Sequence, residues 1–124
     1  MIKAQVSIPV VTPSNNEIRG MNMHVYKRLK QSFAAHIQGQ LLDQKYEINK
    51  IKEPARRKVL IISYRKRRFD KDNQYGGLKP LLDALKDIGL IWDDHEKWID
   101  LETRQSIDGK NPRTEIYVEP IKAS

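Results

Sequence analysis

The chain contains no cysteine, which excludes a disulfide framework, a thiol nucleophile and any zinc site built on thiolates, and fits a reducing compartment. Long hydrophobic stretches are missing too. The longest purely aliphatic run is Val59-Leu60-Ile61-Ile62, too short to span a bilayer, and no basic flank with an apolar stretch and cleavage site opens the chain. A cytoplasmic protein without a membrane partner is expected. There is no Gly-x-x-x-x-Gly-Lys loop, so no nucleotide cofactor is expected, and no Gly-x-Ser-x-Gly turn for a serine nucleophile. Histidine is scarce, and His24 and His36 are twelve apart on one expected helix, a spacing that fits helix surface better than metal ligation.

What the chain does have is charge. Its 124 residues carry 23 Lys plus Arg against 16 Asp plus Glu, a formal charge of +7. The length suits one domain with a modest core. Excess positive charge favours polyanions, because cations that neutralise phosphates release condensed counterions. The distribution says more. Arg56, Arg57, Lys58, Arg65, Lys66, Arg67, Arg68 and Lys71 form a dense basic stretch, and nine of the 16 acids fall between Asp70 and Glu102. Adjacent blocks of both signs suit a metal-dependent enzyme working on a phosphate backbone.

Residues 4–10 alternate apolar and polar as a first strand, followed by turn residues at 12–16. From about Asn22, the positions Tyr26, Leu29, Phe33, Ile37 and Leu41 step by three or four, predicting an amphipathic helix that ends near 42–44. Residues 58–67 predict a central strand. If it stays regular, Leu60 through Asp72 share one face at every second position; a break is expected first, leaving Asp70 and Asp72 on a common face. A second helix is predicted over 78–88, with Leu78, Leu81, Leu82 and Leu85 buried and Gly89 at its C-terminal side. Strands at 97–107 and 113–119, joined by the turn 108–112, complete a β-α-β-α-β-β order. The expected class is α+β, a single domain over 1–124 with two helices packed on a mainly antiparallel or mixed sheet.

The strongest chemical feature is Arg67-Arg68-Phe69-Asp70-Lys71-Asp72-Asn73, followed by Lys79, Asp83, Gly89 and Asp93-Asp94. Two carboxylates at i and i+2 in extended backbone point the same way and can share a hard cation. A third from the Asp93-Asp94 pair would complete a cluster able to activate water and stabilise a leaving oxygen. Lys79, in the first turn of the second helix, is suited to neutralising charge on a phosphate. Taken alone, Asp-x-Asp-Asn is more often a turn or helix cap. Arg65, Lys66, Arg67, Arg68 and Lys71 read as a phosphate cradle or as a protected strand edge. Asn15 and Asn16 approach the site or cap the turn, and Asp83 pairs with Lys79 or with a base on the sheet.

The ordered set Arg68-x-Asp70-x-Asp72-Asn73, Lys79, Asp83-Ala84-Leu85, Gly89 and Asp93-Asp94, with the Pro13-Ser14-Asn15-Asn16 turn after the first strand, resembles the RusA family of Holliday junction resolvases, small bacterial and phage endonucleases. The resemblance implies that Asp70, Asp72 and Asp94 bind a divalent metal, magnesium or manganese, and that Lys79 is the catalytic lysine. It further implies a homodimer that cuts a four-way DNA junction at paired phosphodiesters. A dimer also follows from symmetry, since two incisions need two sites and a two-fold pair matches the junction. Phe69 and Tyr75 flank the acids and either stack on bases or pack in the core. Two alternatives stand beside this reading: a non-catalytic DNA-binding module of recombination, and a metal-dependent nuclease for flaps or RNA.

Overall fold

The computed structural model describes residues 4–43 and 51–121. Its centre is β2 (Arg57–Arg65), in which every odd-numbered residue is buried, as a strand with one face on a core requires. On one side β2 pairs in parallel with β3 (Ile99–Ile107), and on the other it pairs antiparallel with β4 (Arg113–Pro120). The edge strand β1 (Ala4–Ile8) runs antiparallel to β4, so the order across the sheet is β1-β4-β2-β3. The class is α+β with a mixed sheet, as expected.

Two long helices cover the core face. From α2 (Met23–Asp43) come Phe33 and Ile37, and from α4 (Lys79–Asp87) come Leu81, Leu82 and Leu85. They join Val6, Ile8, Val59, Ile61, Ile116 and Val118 of the sheet in one apolar cluster. The stripes are those the spacing predicts. Gln44, the far limit of the expected helix end, lies outside the described residues. Helix α4 ends where Gly89 takes φ 83°, with the Leu90 N–H donating to the Leu85 carbonyl at 2.9 Å. That left-handed terminus suits glycine because a Cβ would clash there.

Three features depart from expectation. Helix α1 (Asn15–Gly20) occupies part of the expected turn, started by a reciprocal cap in which Ser14 Oγ accepts from the Glu17 N–H at 3.1 Å and Glu17 Oε1 accepts from the Ser14 N–H at 3.2 Å. Strand β2 stops at Arg65, the break expected before Asp70, but Asp70 and Asp72 do not then share a face of extended backbone. Instead Asp70 caps a further helix, α3 (Lys71–Gly76), through the Asn73 N–H at 2.9 Å, and Asp72 lies in its first turn. The two carboxylates are therefore held by a helix start rather than by extended backbone. Finally, β3 and β4 are joined by the predicted turn but are not neighbours, since β2 lies between them. The connection crosses the end of β2, where the Asp108 N–H donates to the Arg65 carbonyl at 2.9 Å.

Helix α3 is set tightly against the segment after β1. A Cβ on Gly77 would lie 1.7 Å from the Pro13 carbonyl oxygen, and one on Gly76 would meet the Asn15 side chain at 2.4 Å. Gly77 has an ordinary helical φ of −74°, so the constraint is space alone. Gly77→Ala is expected to cost about 3 kcal/mol. Gly39→Ala, in α2 with nothing within 4 Å of the new methyl, is expected to gain about 1 kcal/mol. Urea denaturation of the two variants checks both signs.

Candidate nucleic-acid interface

The site is organised by a buried cation. Arg65 ends β2 on its core-facing side and is 3% exposed. Its Nη1 donates to the Thr12 carbonyl at 2.6 Å, its Nη2 to Thr12 Oγ1 at 2.6 Å and to Gln74 Oε1 at 2.7 Å, and its Nε to Gln74 Oε1 at 3.1 Å. Gln74, also buried, passes its amide on to Ser63 Oγ at 2.8 Å. The Phe69 ring lies 4.0 Å from the guanidinium, a cation–π contact. Burial pushes the Arg65 guanidinium down to about 10. Arg65 was expected in the phosphate cradle; it is a fold residue instead, its donors spent on Thr12 and Gln74. Lys66, Arg67, Arg68 and Lys71 are exposed.

Beyond Arg65 the chain turns outward. The Phe69 backbone is held as a strand partner would hold it, by the Gln105 side chain of β3: the Phe69 N–H donates to Gln105 Oε1 at 2.9 Å and Gln105 Nε2 donates to the Phe69 carbonyl at 2.8 Å. This places Asp70 and Asp72 on an open pocket of about 690 Å³, lined also by Arg68, Lys71, Tyr75 and Arg104. A second pocket, about 600 Å³, is lined by Arg56, Lys97 and Tyr75 together with the acids Asp94, Glu96 and Asp100. The two follow one another along β3, residues 103–105 in the first and 99–101 in the second, and Tyr75 belongs to both.

Lys79 stands at the start of α4, between two acids. Its Nζ lies 3.3 Å from Asp94 Oδ2 and 3.6 Å from Asp83 Oδ1. Burial acts to lower its pKa, but Asp83 and Asp94 outweigh that and hold the ammonium above the ordinary lysine value. Asp83 is in turn gripped by the Tyr26 hydroxyl of α2, which donates to Oδ2 in a very short hydrogen bond. Desolvation, reinforced by that carboxylate, raises the Tyr26 pKa well above normal. The Asp94 N–H donates to Asp93 Oδ1 at 2.8 Å, and Lys86 lies 3.5 Å from Asp93. Asp93 therefore orients its neighbour. Asp83 pairs with Lys79, the first of the two partners considered for it.

The expected residues thus fall into two groups. Asp70, Asp72, Arg68 and Lys71 share one pocket, and Lys79 and Asp94 pair beside the other. The three-carboxylate cluster is not formed: among the described residues no three His, Asp or Glu side chains stand close enough together to hold a metal ion. Asn15 lies against Gly76 and reaches the site only through α3, and Asn16 is exposed on α1. His24 and His36 are exposed on α2, and His95 Nδ1 accepts from the Lys97 N–H at 3.0 Å. Sequence reading missed the roles of Tyr26, Gln74, Gln105 and Arg104. Tyr26 was visible only as one member of the apolar stripe, and nothing local marks the other three. Comparison with protein-family models and with curated proteins finds no match to this chain.

Two outcomes test this construction. Gln74→Leu leaves Arg65 and Ser63 buried without their shared partner and is expected to cost about 2–4 kcal/mol in chemical denaturation. Tyr26 has a folded pKa above its unfolded value of 10, so the stability it adds is complete below that pH and is lost as the pH climbs past it. Tyr26→Phe should therefore lose less stability than the wild type between about pH 8 and about pH 11 in urea titrations.

Proposed function

We propose that the protein is a magnesium-dependent endonuclease for branched DNA, acting on four-way junctions as a homodimer. The observation that carries this reading is the open pocket holding Asp70 and Asp72, flanked by Arg68, Lys71 and Arg104. Carboxylates at the mouth of a cationic surface suit a phosphodiester approached together with its counter-ion. The order of these residues along the chain, with its resemblance to the RusA family, adds the junction and the paired cuts.

Magnesium is commonly bound by one or two carboxylates together with substrate phosphates and water. Asp70 and Asp72 supply such a pair; Asp94, across Tyr75 and paired with Lys79, is not part of it. A bound magnesium ion would supply an activated water and stabilise the leaving oxygen. The chain's own residues do the rest. Arg68, Lys71 and Arg104 hold the backbone by its phosphates, which orients the strand without reading sequence. Lys79, kept charged by Asp83 and Asp94, offers its ammonium to a non-bridging phosphate oxygen.

A second reading has one observation in its favour. Asp70 already has a structural task as the cap of α3, as it would in a DNA-binding module without catalysis. Asp70→Asn separates the two, because asparagine caps a helix as well as aspartate does. On a labelled four-way junction with magnesium, the variant is expected to keep the wild-type fold and binding and to lose at least about 100-fold in cleavage rate. Chelator should abolish cleavage by the wild type. Wild-type binding without cleavage would establish the module, and preferential cleavage of a flap or an RNA hairpin would redirect the substrate.

A further inference from the structure

We infer that Tyr75 is the stacking post of the site, a base-binding residue that receives an unpaired nucleobase of DNA where the duplex opens. The inference rests on the nucleic-acid reading above and deepens it.

Of the two aromatic residues beside the acids, Phe69 is not available. Its ring lies against the Arg65 guanidinium, and its backbone is bonded in both directions to Gln105. Tyr75 is the opposite case, 64% exposed on α3 although its neighbour Gln74 is 3% exposed. Its position is also particular. It belongs to both pockets along β3, with Arg68, Lys71 and Arg104 beside Asp70 and Asp72 on one side, and Arg56 and Lys97 among Asp94, Glu96 and Asp100 on the other. A strand laid along this surface meets the more basic pocket on one side of the ring, and on the other Arg56 and Lys97 set among acids. Alternating phosphate-binding charge and a stacking ring is the general solution for unpaired nucleic acid. Each pocket, at about 690 and about 600 Å³, lies in the range of sites for small organic groups.

The post is rigidly founded. Gly76 and Gly77 follow directly and sit so close to Asn15 and the Pro13 carbonyl that neither has room for a Cβ, so the backbone after Tyr75 is closely packed. The preceding residue, Gln74, is anchored in the Arg65 network. A tyrosine has only two side-chain torsions to lose on binding, so on a packed backbone it stacks at small entropic cost. Bases inside continuous duplex are stacked on one another and offer no free face. Tyr75 therefore discriminates for branch points, where stacking is interrupted and a base is most easily opened.

The test uses a four-way junction with 2-aminopurine at the branch point, a matched duplex and a single-stranded oligothymidine, all in chelator so that nothing is cut. Wild type, Tyr75→Phe and Tyr75→Ala are compared, with thermal melting as a control. Truncating an exposed side chain leaves the core intact. Tyr75→Ala should bind the junction and the single strand roughly 5- to 100-fold more weakly, with unchanged duplex affinity. The 2-aminopurine response of the wild type should disappear in Tyr75→Ala and return in Tyr75→Phe. Equal junction and single-strand affinities for wild type and Tyr75→Ala would overturn the inference while leaving the nuclease reading standing. If the wild type shows no preference for the junction over duplex, the branched-substrate reading fails; a Tyr75-dependent single-strand affinity then sustains the stacking role, and its absence removes it. Loss of self-association in Tyr75→Ala, seen by sedimentation, with DNA binding unchanged, would make the ring a protein contact and overturn the inference.

Discussion

The architecture around the site depends on one buried guanidinium. From the end of β2, Arg65 donates its side-chain hydrogen bonds to two other stretches of chain, the Thr12 segment after β1 and Gln74 of α3, so that three stretches meet at it. A cation removed from water is costly unless every donor is satisfied, so the three stretches are held together or the fold loses heavily. Satisfying it brings Pro13 and Ser14 into place, and with them the cap of α1 and the close seat of Gly77. It also anchors α3 through Gln74, the helix that Asp70 caps and that carries Asp72 in its first turn and Tyr75 near its end. The polar residues that face solvent at the site owe their positions to a guanidinium buried beneath it.

A different economy governs the far side of the site. Lys30 with Asp87, Lys86 with Asp93 and Lys79 with Asp83 and Asp94 tie α4 to α2 and to the loop before β3. Exposed ion pairs of this kind contribute little stability each. Their effect is geometric: they fix which carboxylate faces Lys79. The Tyr26 hydroxyl completes this by taking up one oxygen of Asp83, leaving the other toward the ammonium.

The strands and the two long helices were legible because each has a period to display: alternation in 57–65 and the three-and-four spacing of 26–41 and 78–85. The short helices were not, because six residues make fewer than two turns and show no stripe. Their signals were local, Ser14 with Glu17 and Asp70 with Asn73, the same residue types that mark turns. The acids were read as one cluster from composition and order, whereas the fold divides them between two pockets, because spacing along a chain does not say which side of Tyr75 each one occupies. Arg65 was read as surface because it opens a basic run. Parity pointed the other way, since it shares the buried register of Val59 and Ile61. Tyr26 and Asp83 are 57 residues apart, beyond the reach of any local pattern.

The order β1-β4-β2-β3 places the last strand of the chain between the first two. Strand β2, with α3, α4 and β3, forms one continuous stretch from 57 to 107 that contains Asp70, Asp72, Tyr75, Lys79 and Asp94. Strand β1 has no sheet partner until β4 arrives and slots between it and β2. During synthesis the site-bearing stretch therefore emerges complete while the sheet is still open in two parts, with the facing backbone edges of β1 and β2 unpaired. Closing that gap is a non-local event that must await residues 113–120, and such pairings are the slow, aggregation-exposed step of folding.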